Sequence, residues 1–180
     1  MPEPDAVPGA DASRWDARHA VAGPVVPMPP DAVRGREHLL PAGGRALDVA
    51  CGRGGVAAWL AGRGFAVDAV DVSPVGLAAG AALAPGVTWI AHDLTTGLPV
   101  AGPYDLVVCQ RYREPSLYPA LAAALAPGGL LVITVLSEVG DSGGQFRAAP
   151  GELVAAFADL VPLAIAEGGG EATLVARRRE

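Results

Sequence analysis

The chain has 180 residues, of which 51% are apolar and 18% charged; its net charge is −6 and it contains no lysine. This composition supports one substantial core and excludes a broad nucleic-acid surface, which needs clustered cations for phosphate. No run approaches the ~18 apolar residues of a membrane span, and Met1-Pro2-Glu3-Pro4-Asp5 lacks the basic and apolar regions of a secretory signal, so a cytoplasmic address is expected.

Residues 1–12, rich in proline, alanine and acid, are expected to be a disordered tail. Residues 13–44 form a covering segment. Ser13 to Ala20 can make a short helix with Trp15 and His19 on one face, and Val21 to Pro30 carries four prolines and reads as an extended strap. Asp31 caps a helix expected to run to about Leu40, which Pro41-Ala42-Gly43-Gly44 ends.

Residues 45–180 then read as the core domain. The apolar run from Arg45 that ends at Asp48 is a first strand, Gly52, Gly54 and Gly55 make a tight turn, and a helix opens near Val56. Phe65 to Asp71 is the second strand, and Ser73 caps a helix with Pro74 in its first turn. Val87 to Ala91 is the third strand, leading to His92-Asp93-Leu94. Tyr104 to Cys109 is the fourth, and Leu117, Leu121 and Leu125 recur at helical spacing until Pro127-Gly128-Gly129. Leu130 to Leu136 is a fifth, doubly buried strand. After a modest helix at 151–158, Val161 to Glu167 and Ala172 to Ala176 are joined by Gly168-Gly169-Gly170, a link that permits only an antiparallel hairpin. Arg177-Arg178-Arg179 reads as a solvated tail.

Alternating strands and helices predict an α/β fold: a mostly parallel sheet with helices on both faces. Asp48, Asp71 and Asp93 each stand at or after the end of a strand on the edge where open α/β sheets bind ligands. Glycine at positions 52 and 54 permits positive φ and close backbone approach, and the following helix offers free N–H groups. The three carboxylates suit an adenosine with an amino-acid tail: the ribose hydroxyls at Asp71, the adenine amino group at Asp93, an amine at Asp48. A dinucleotide site is the alternative, because Gly52-x-Gly54-x-x-Ala57 with Asp71 also fits an NAD fingerprint. It needs a second mononucleotide half, for which the chain has no room. Cys51 and Cys109 lack metal-ligand or disulfide companions, so they read as buried free thiols and no metal is expected.

With these residues in place, the chain resembles the class I S-adenosylmethionine-dependent methyltransferases. Leu47-Asp48-Val49-Ala50-Cys51-Gly52-Arg53-Gly54 is similar to the family's first motif, with Ala50 where glycine is commoner. Asp71-Val72 is similar to its ribose acid and adenine-packing residue, His92-Asp93-Leu94 to its adenine motif, and Tyr104-Asp105-Leu106-Val107-Val108 and Pro127-Gly128-Gly129-Leu130-Leu131 to its fourth-strand and fifth-strand motifs. The resemblance spans about Arg14 to Arg178 and implies a Rossmann-like, seven-stranded sheet ending in an antiparallel hairpin. It implies S-adenosyl-L-methionine as cofactor, held by Asp48, Ala50, Gly52, Gly54, Asp71, Val72, Asp93, Leu94 and Cys109. A nearer resemblance to small tellurite-resistance and thiopurine methyltransferases implies that Trp15 and Arg18 cover the cofactor. Gln110, Arg111 and Arg147, with Arg113, are placed toward a small, anionic acceptor.

The chemistry implied is direct in-line displacement, with the protein orienting two reactants. No general base is assigned. Gln110-Arg111-Tyr112-Arg113 replaces the Asn/Asp-Pro-Pro-Tyr/Phe sequence of nucleobase amino methylation, which weighs against DNA as acceptor. A noncatalytic module binding the cofactor or its demethylated product is the alternative of a different class, and either a monomer or a homodimer is expected.

Overall fold

A computed structural model describes residues 10–141, 143–144 and 146–180. Seven strands form one sheet in the order β3-β2-β1-β4-β5-β7-β6. β1 (Gly44–Val49), β2 (Phe65–Asp71), β3 (Thr88–Ala91), β4 (Tyr104–Gln110) and β5 (Leu125–Leu136) are parallel. β7 (Glu171–Arg177) is antiparallel to β5, and β6 (Val161–Gly168) completes the hairpin at the edge. The reversal of strand order at β1 and β4 opens a crevice at their carboxyl ends, where ligands of open α/β sheets sit.

Side-chain alternation along the strands feeds two cores. Leu47, Val49, Val107, Ile133 and Leu174 pack with α4 (Tyr118–Ala124) and α5 (Glu152–Ala156), through Leu121, Leu153 and Phe157. Ala46, Val108, Val132 and Val175 face the other way, onto Leu60 of α2 (Gly55–Gly62) and Val33 of the covering segment. Helices and covering elements therefore lie on both faces. α3 (Pro74–Leu83) follows β2 with Pro74 in its first turn, and the Ser73 hydroxyl accepts the Gly76 N–H at 3.0 Å as its cap.

Four expectations change. The helix read through Leu125 ends at Ala124, and β5 starts at Leu125 and takes in the Pro127-Gly128-Gly129 stretch read as a helix stop. α1 spans Ala10–Ala20, with Ala12 buried, so the helix begins inside the stretch read as tail; residues 1–9 lie outside the described residues. No single helix covers 31–40. Two 3₁₀ turns, Asp31–Val33 and Glu37–Leu39, flank Gly35, whose φ of +76° interrupts the helical path. Asp31 caps nothing; its N–H donates to Gln110 Oε1 at 2.9 Å and its carboxylate pairs with Arg34 at 2.7 Å. Arg177 and Arg178 are not a solvated tail either. Arg177 Nη1 donates to the Gly128 carbonyl at 3.1 Å, Arg178 Nη1 donates to the Leu125 carbonyl, and the Arg178 N–H meets the Gly129 carbonyl at 2.8 Å, so both clamp the start of β5.

Candidate cofactor site

β1 delivers Asp48 to the crevice with 2% of its surface exposed. Its carboxyl accepts the Ala57 N–H near the start of α2, yet Oδ2 is buried without any hydrogen-bond partner. Burial, together with the neighbouring Asp71 charge, pushes this carboxyl up to about 7 despite the opposing Ala57 bond. A buried acceptor left unpaired at the ligand edge calls for a donor.

The turn after β1 is strained on purpose. Ala50 takes a φ of +55° and Gly52 one of +56°, and the Cys51 N–H is held by the Val70 carbonyl at 3.0 Å. The Gly52 N–H donates to Asp71 Oδ2 at 2.7 Å, while Asp71 Oδ1 accepts the Ser73 N–H at 2.9 Å. Asp71 is thus buried and organises its own turn, but an ionised carboxylate has about four acceptor positions, so each oxygen can still take a hydroxyl. Val72 beside it is half-buried. Gly54 serves a different neighbour: a Cβ there would overlap the Trp89 ring, whereas a Cβ at Gly52 would only touch His19 at 3.6 Å.

Asp93 is exposed one strand further out, and Thr95 engages its Oδ1 through the hydroxyl at 2.7 Å and the N–H at 3.0 Å. These bonds hold it below the usual carboxylate range. The Leu94 side chain is buried in the core. Cys109 is also a core side chain; its thiol meets the Tyr112 carbonyl at 3.4 Å, and burial beside Asp48 pushes it up to about 12. Cys51 is likewise driven upward by burial, so neither thiol supplies a thiolate.

α1 lies over this turn. Asp16 Oδ1 accepts the Ser73 hydroxyl at 2.5 Å and the Val75 N–H at 3.2 Å, which pins α1 to the start of α3. Trp15 stacks on His19 with ring centroids 5.8 Å apart, and Arg18 sits over the Trp15 ring at 5.2 Å. The bond between Asp16 and Ser73 went unnoticed in the sequence because nothing local reveals a contact between residues so far apart.

Residues 46–129 match the methyltransferase domain family. Ribosomal protein L11 methyltransferase from Dechloromonas aromatica (strain RCB) is 36% identical over 127 residues, covering 67% of this chain and 39% of its own length. Among solved structures, TehB from Haemophilus influenzae superposes with a TM-score of 0.71 at 21% identity, over 83% of this chain and 62% of that one. Geranyl diphosphate C-methyltransferase from Streptomyces coelicolor A3(2) gives 0.70 at 14%, over 96% of this chain and 100% of that one. The chain belongs to the class I methyltransferases.

The methyltransferase match runs from β1 to the start of β5, and it contains Asp48, the glycine turn, Asp71 and Asp93. S-adenosylmethionine is the cofactor of that class, and the orphaned Asp48 oxygen fits its ammonium group. The residues expected on the acceptor side are brought to the same edge, but with partners. Gln110 takes the Asp31 N–H of the covering segment. Arg111, held at a φ of +58°, bridges Glu171 at 3.0 Å and Asp31 at 3.5 Å. Arg113 is locked onto Glu152 by bonds of 2.8 and 2.7 Å. Arg147 reaches Asp141 at 2.5 Å, the Ser137 carbonyl at 2.9 Å and the Gly170 carbonyl at 3.2 Å, fastening the loop before α5 to the β6–β7 hairpin. A cavity of about 340 Å³ lies on that hairpin, lined by Ala166, Glu167, Gly168, Thr173 and the Glu171 that Arg111 bridges.

Proposed function

We propose that this chain transfers a methyl group from S-adenosylmethionine to a small-molecule acceptor by in-line displacement. The observation that carries the reading is the pairing of Asp48, with its buried free oxygen, and Asp71 across one glycine turn. When bound, the cofactor supplies a methyl carbon on a cationic sulfonium, which departs as a neutral thioether. Asp48 receives the ammonium group, Asp71 the ribose hydroxyls, and Asp93 with the Leu94 N–H the adenine edge, while Val72 packs on the ring. Trp15 and Arg18 on α1 close the site from above and exclude water.

The acceptor enters beside the carboxyl end of β4, near Gln110 and Arg111. Burial drives Cys51, Cys109 and Tyr112 toward their protonated forms, so the protein's contribution is placement of a nucleophile that is reactive by itself. A thiol, selenol or reduced chalcogen meets that demand. The core elements are joined without an inserted substrate domain, which favours a small acceptor in a cytoplasmic chain that is a monomer or homodimer. A second reading, a protein acceptor, is favoured by the 36% identity to the L11 methyltransferase, although the chain spans only about two fifths of that relative.

The test is calorimetric titration with S-adenosylmethionine and, in parallel, NAD(H), followed by methyl-transfer assays on small thiols and anions and on purified L11. Binding of the methyl donor with turnover on a small nucleophile supports the proposal. Turnover on L11 alone moves the acceptor to the protein class. Binding without turnover on either set makes the chain a cofactor-binding module, and binding of NAD(H) instead overturns the site assignment.

A further inference from the structure

Of the described side chains of α1 only Ala12 is buried, so the helix adds little to the two cores. Its 11 residues, at about 1.5 Å each, make it roughly 16 Å long. In the order β2-β1-β4, the ends of β2 and β4 stand two strand spacings of about 4.8 Å apart, so α1 is long enough to cross the mouth between them. Contacts at both sides show that it does. On the β2 side, Asp16 Oδ1 accepts the Ser73 hydroxyl and the Val75 N–H, and a Cβ at Gly76 would meet the His19 ring at 3.0 Å. On the β4 side, burial pushes the Tyr112 hydroxyl up, and the charges of Glu114, Cys109, Asp93 and Asp11 add to it, which brings the Asp11 end of α1 within range of the residues just past β4.

Ser73 is the joint between this helix and the crevice. It is fully buried; its N–H donates to Asp71 Oδ1 at 2.9 Å, and its hydroxyl accepts the Gly76 N–H at 3.0 Å while donating to Asp16. The anchor point therefore belongs to the fixed frame of the site, and the partner free to move is α1. A helix held by polar bonds rather than by buried apolar surface exchanges those bonds for bonds to water when it lifts, and segments with few buried contacts open first.

We propose that α1 is a gate on the crevice, latched by Asp16 on Ser73, and that Asp16 is a positioning residue that sets how fast the adenosyl ligand enters and leaves rather than how tightly it is held. The inference rests on the proposed function and adds a rate to it. Asp16 bonds the protein, so it steadies the closed gate equally with the crevice empty or filled. Loosening the latch then speeds entry and exit by one factor and leaves their ratio, the affinity, unchanged.

The experiment measures rates and hydrogen exchange on the full chain, with S-adenosylhomocysteine as the ligand. Stopped-flow should find association and dissociation both about tenfold faster in Asp16→Asn, with the calorimetric Kd within about threefold of wild type. Exchange followed by mass spectrometry without ligand should find the amides of α1 opening ahead of those of β1 and β4 in the wild type. In Asp16→Asn they should open about tenfold faster again while β1 and β4 keep their rates. An affinity loss carried by dissociation alone would make Asp16 a covering contact, and unchanged rates would make it a merely structural residue; either overturns the proposal. If Asp16→Asn does not fold, wild-type α1 amides that exchange no faster than those of β1 overturn it as well. Unaltered rates in a protein that binds S-adenosylhomocysteine sink the gate alone; a chain that binds no adenosyl ligand sinks the proposed function and the gate with it.

Discussion

The Gly52 N–H donates to Asp71 Oδ2 at 2.7 Å, so the acid at the end of β2 shapes the turn at the end of β1. The same carboxylate takes the Ser73 N–H at 2.9 Å. One side chain thereby fixes both loops that border the proposed ribose position.

Asp71→Asn is therefore expected to act twice. An amide has one acceptor oxygen, so its NH₂ group would confront either the Gly52 or the Ser73 N–H, a loss of roughly 1–3 kcal/mol. Affinity for S-adenosylmethionine should fall at least about tenfold through the lost hydroxyl acceptor. Calorimetry and thermal melting on the same preparation check both effects; an unchanged affinity would remove Asp71 from the site.

The two glycines of the turn should respond differently. Gly52→Ala meets only the penalty of a left-handed φ, on the order of 1–2 kcal/mol, because its Cβ has ordinary contact with His19. Gly54→Ala adds an overlap with Trp89, so it should be clearly the more destabilising. Trp89→Ala combined with Gly54→Ala should recover part of the difference in a thermal melt. Additive losses would show that the ring is not what requires glycine there.

How much of this could be read beforehand follows from where each partner lies. The parallel strands announce themselves as apolar runs, and Asp48, Asp71 and Asp93 stand out because each sits at or just past a run's end. The Asp31–Leu40 stretch has helical composition, but Gly35 and the anchoring of Asp31 on Gln110 impose two short turns instead. Arg178 looked solvent-facing and Arg147 looked free for an acceptor, because the carbonyls that hold them are brought near only by the start of β5 and the hairpin. Trp89 likewise gives no local sign that it occupies the space beside Gly54.

Arg113, Glu152 and Tyr118 join the β4–α4 connection to α5, with Glu152 taking two bonds from Arg113 and one from the tyrosine hydroxyl at 3.0 Å. The Arg113 bonds, then the tyrosine bond, hold Glu152 below the usual range against the cost of burial. Since the folded value is depressed, this stabilisation is present above the unfolded value of about 4.3 and lost as pH falls through the lower folded one. Glu152→Gln should lower stability by about 2 kcal/mol at pH 7, or Tm by roughly 4–8 °C. The deficit should shrink in acid, and cofactor affinity should stay within about twofold. A large affinity loss would show that this network reaches the crevice.

Asp48 behaves in the opposite sense. Its folded value is raised, to about 7, so the folded chain holds a proton between about pH 4 and 7 that the unfolded chain has released. Stability from this group is greatest below the unfolded value and declines as pH rises to about 7, by up to roughly 4 kcal/mol at 1.36 kcal/mol per unit. Asp48→Asn should flatten that decline and leave the ligand-free protein more stable at pH 8. An ammonium ligand favours the ionised acid, so binding below pH 7 should release a proton and tighten as pH approaches 7. Calorimetry in buffers of different ionisation enthalpy counts that proton, and Asp48→Asn should release none from this position. Equal proton release in the two proteins would place the ammonium group away from Asp48.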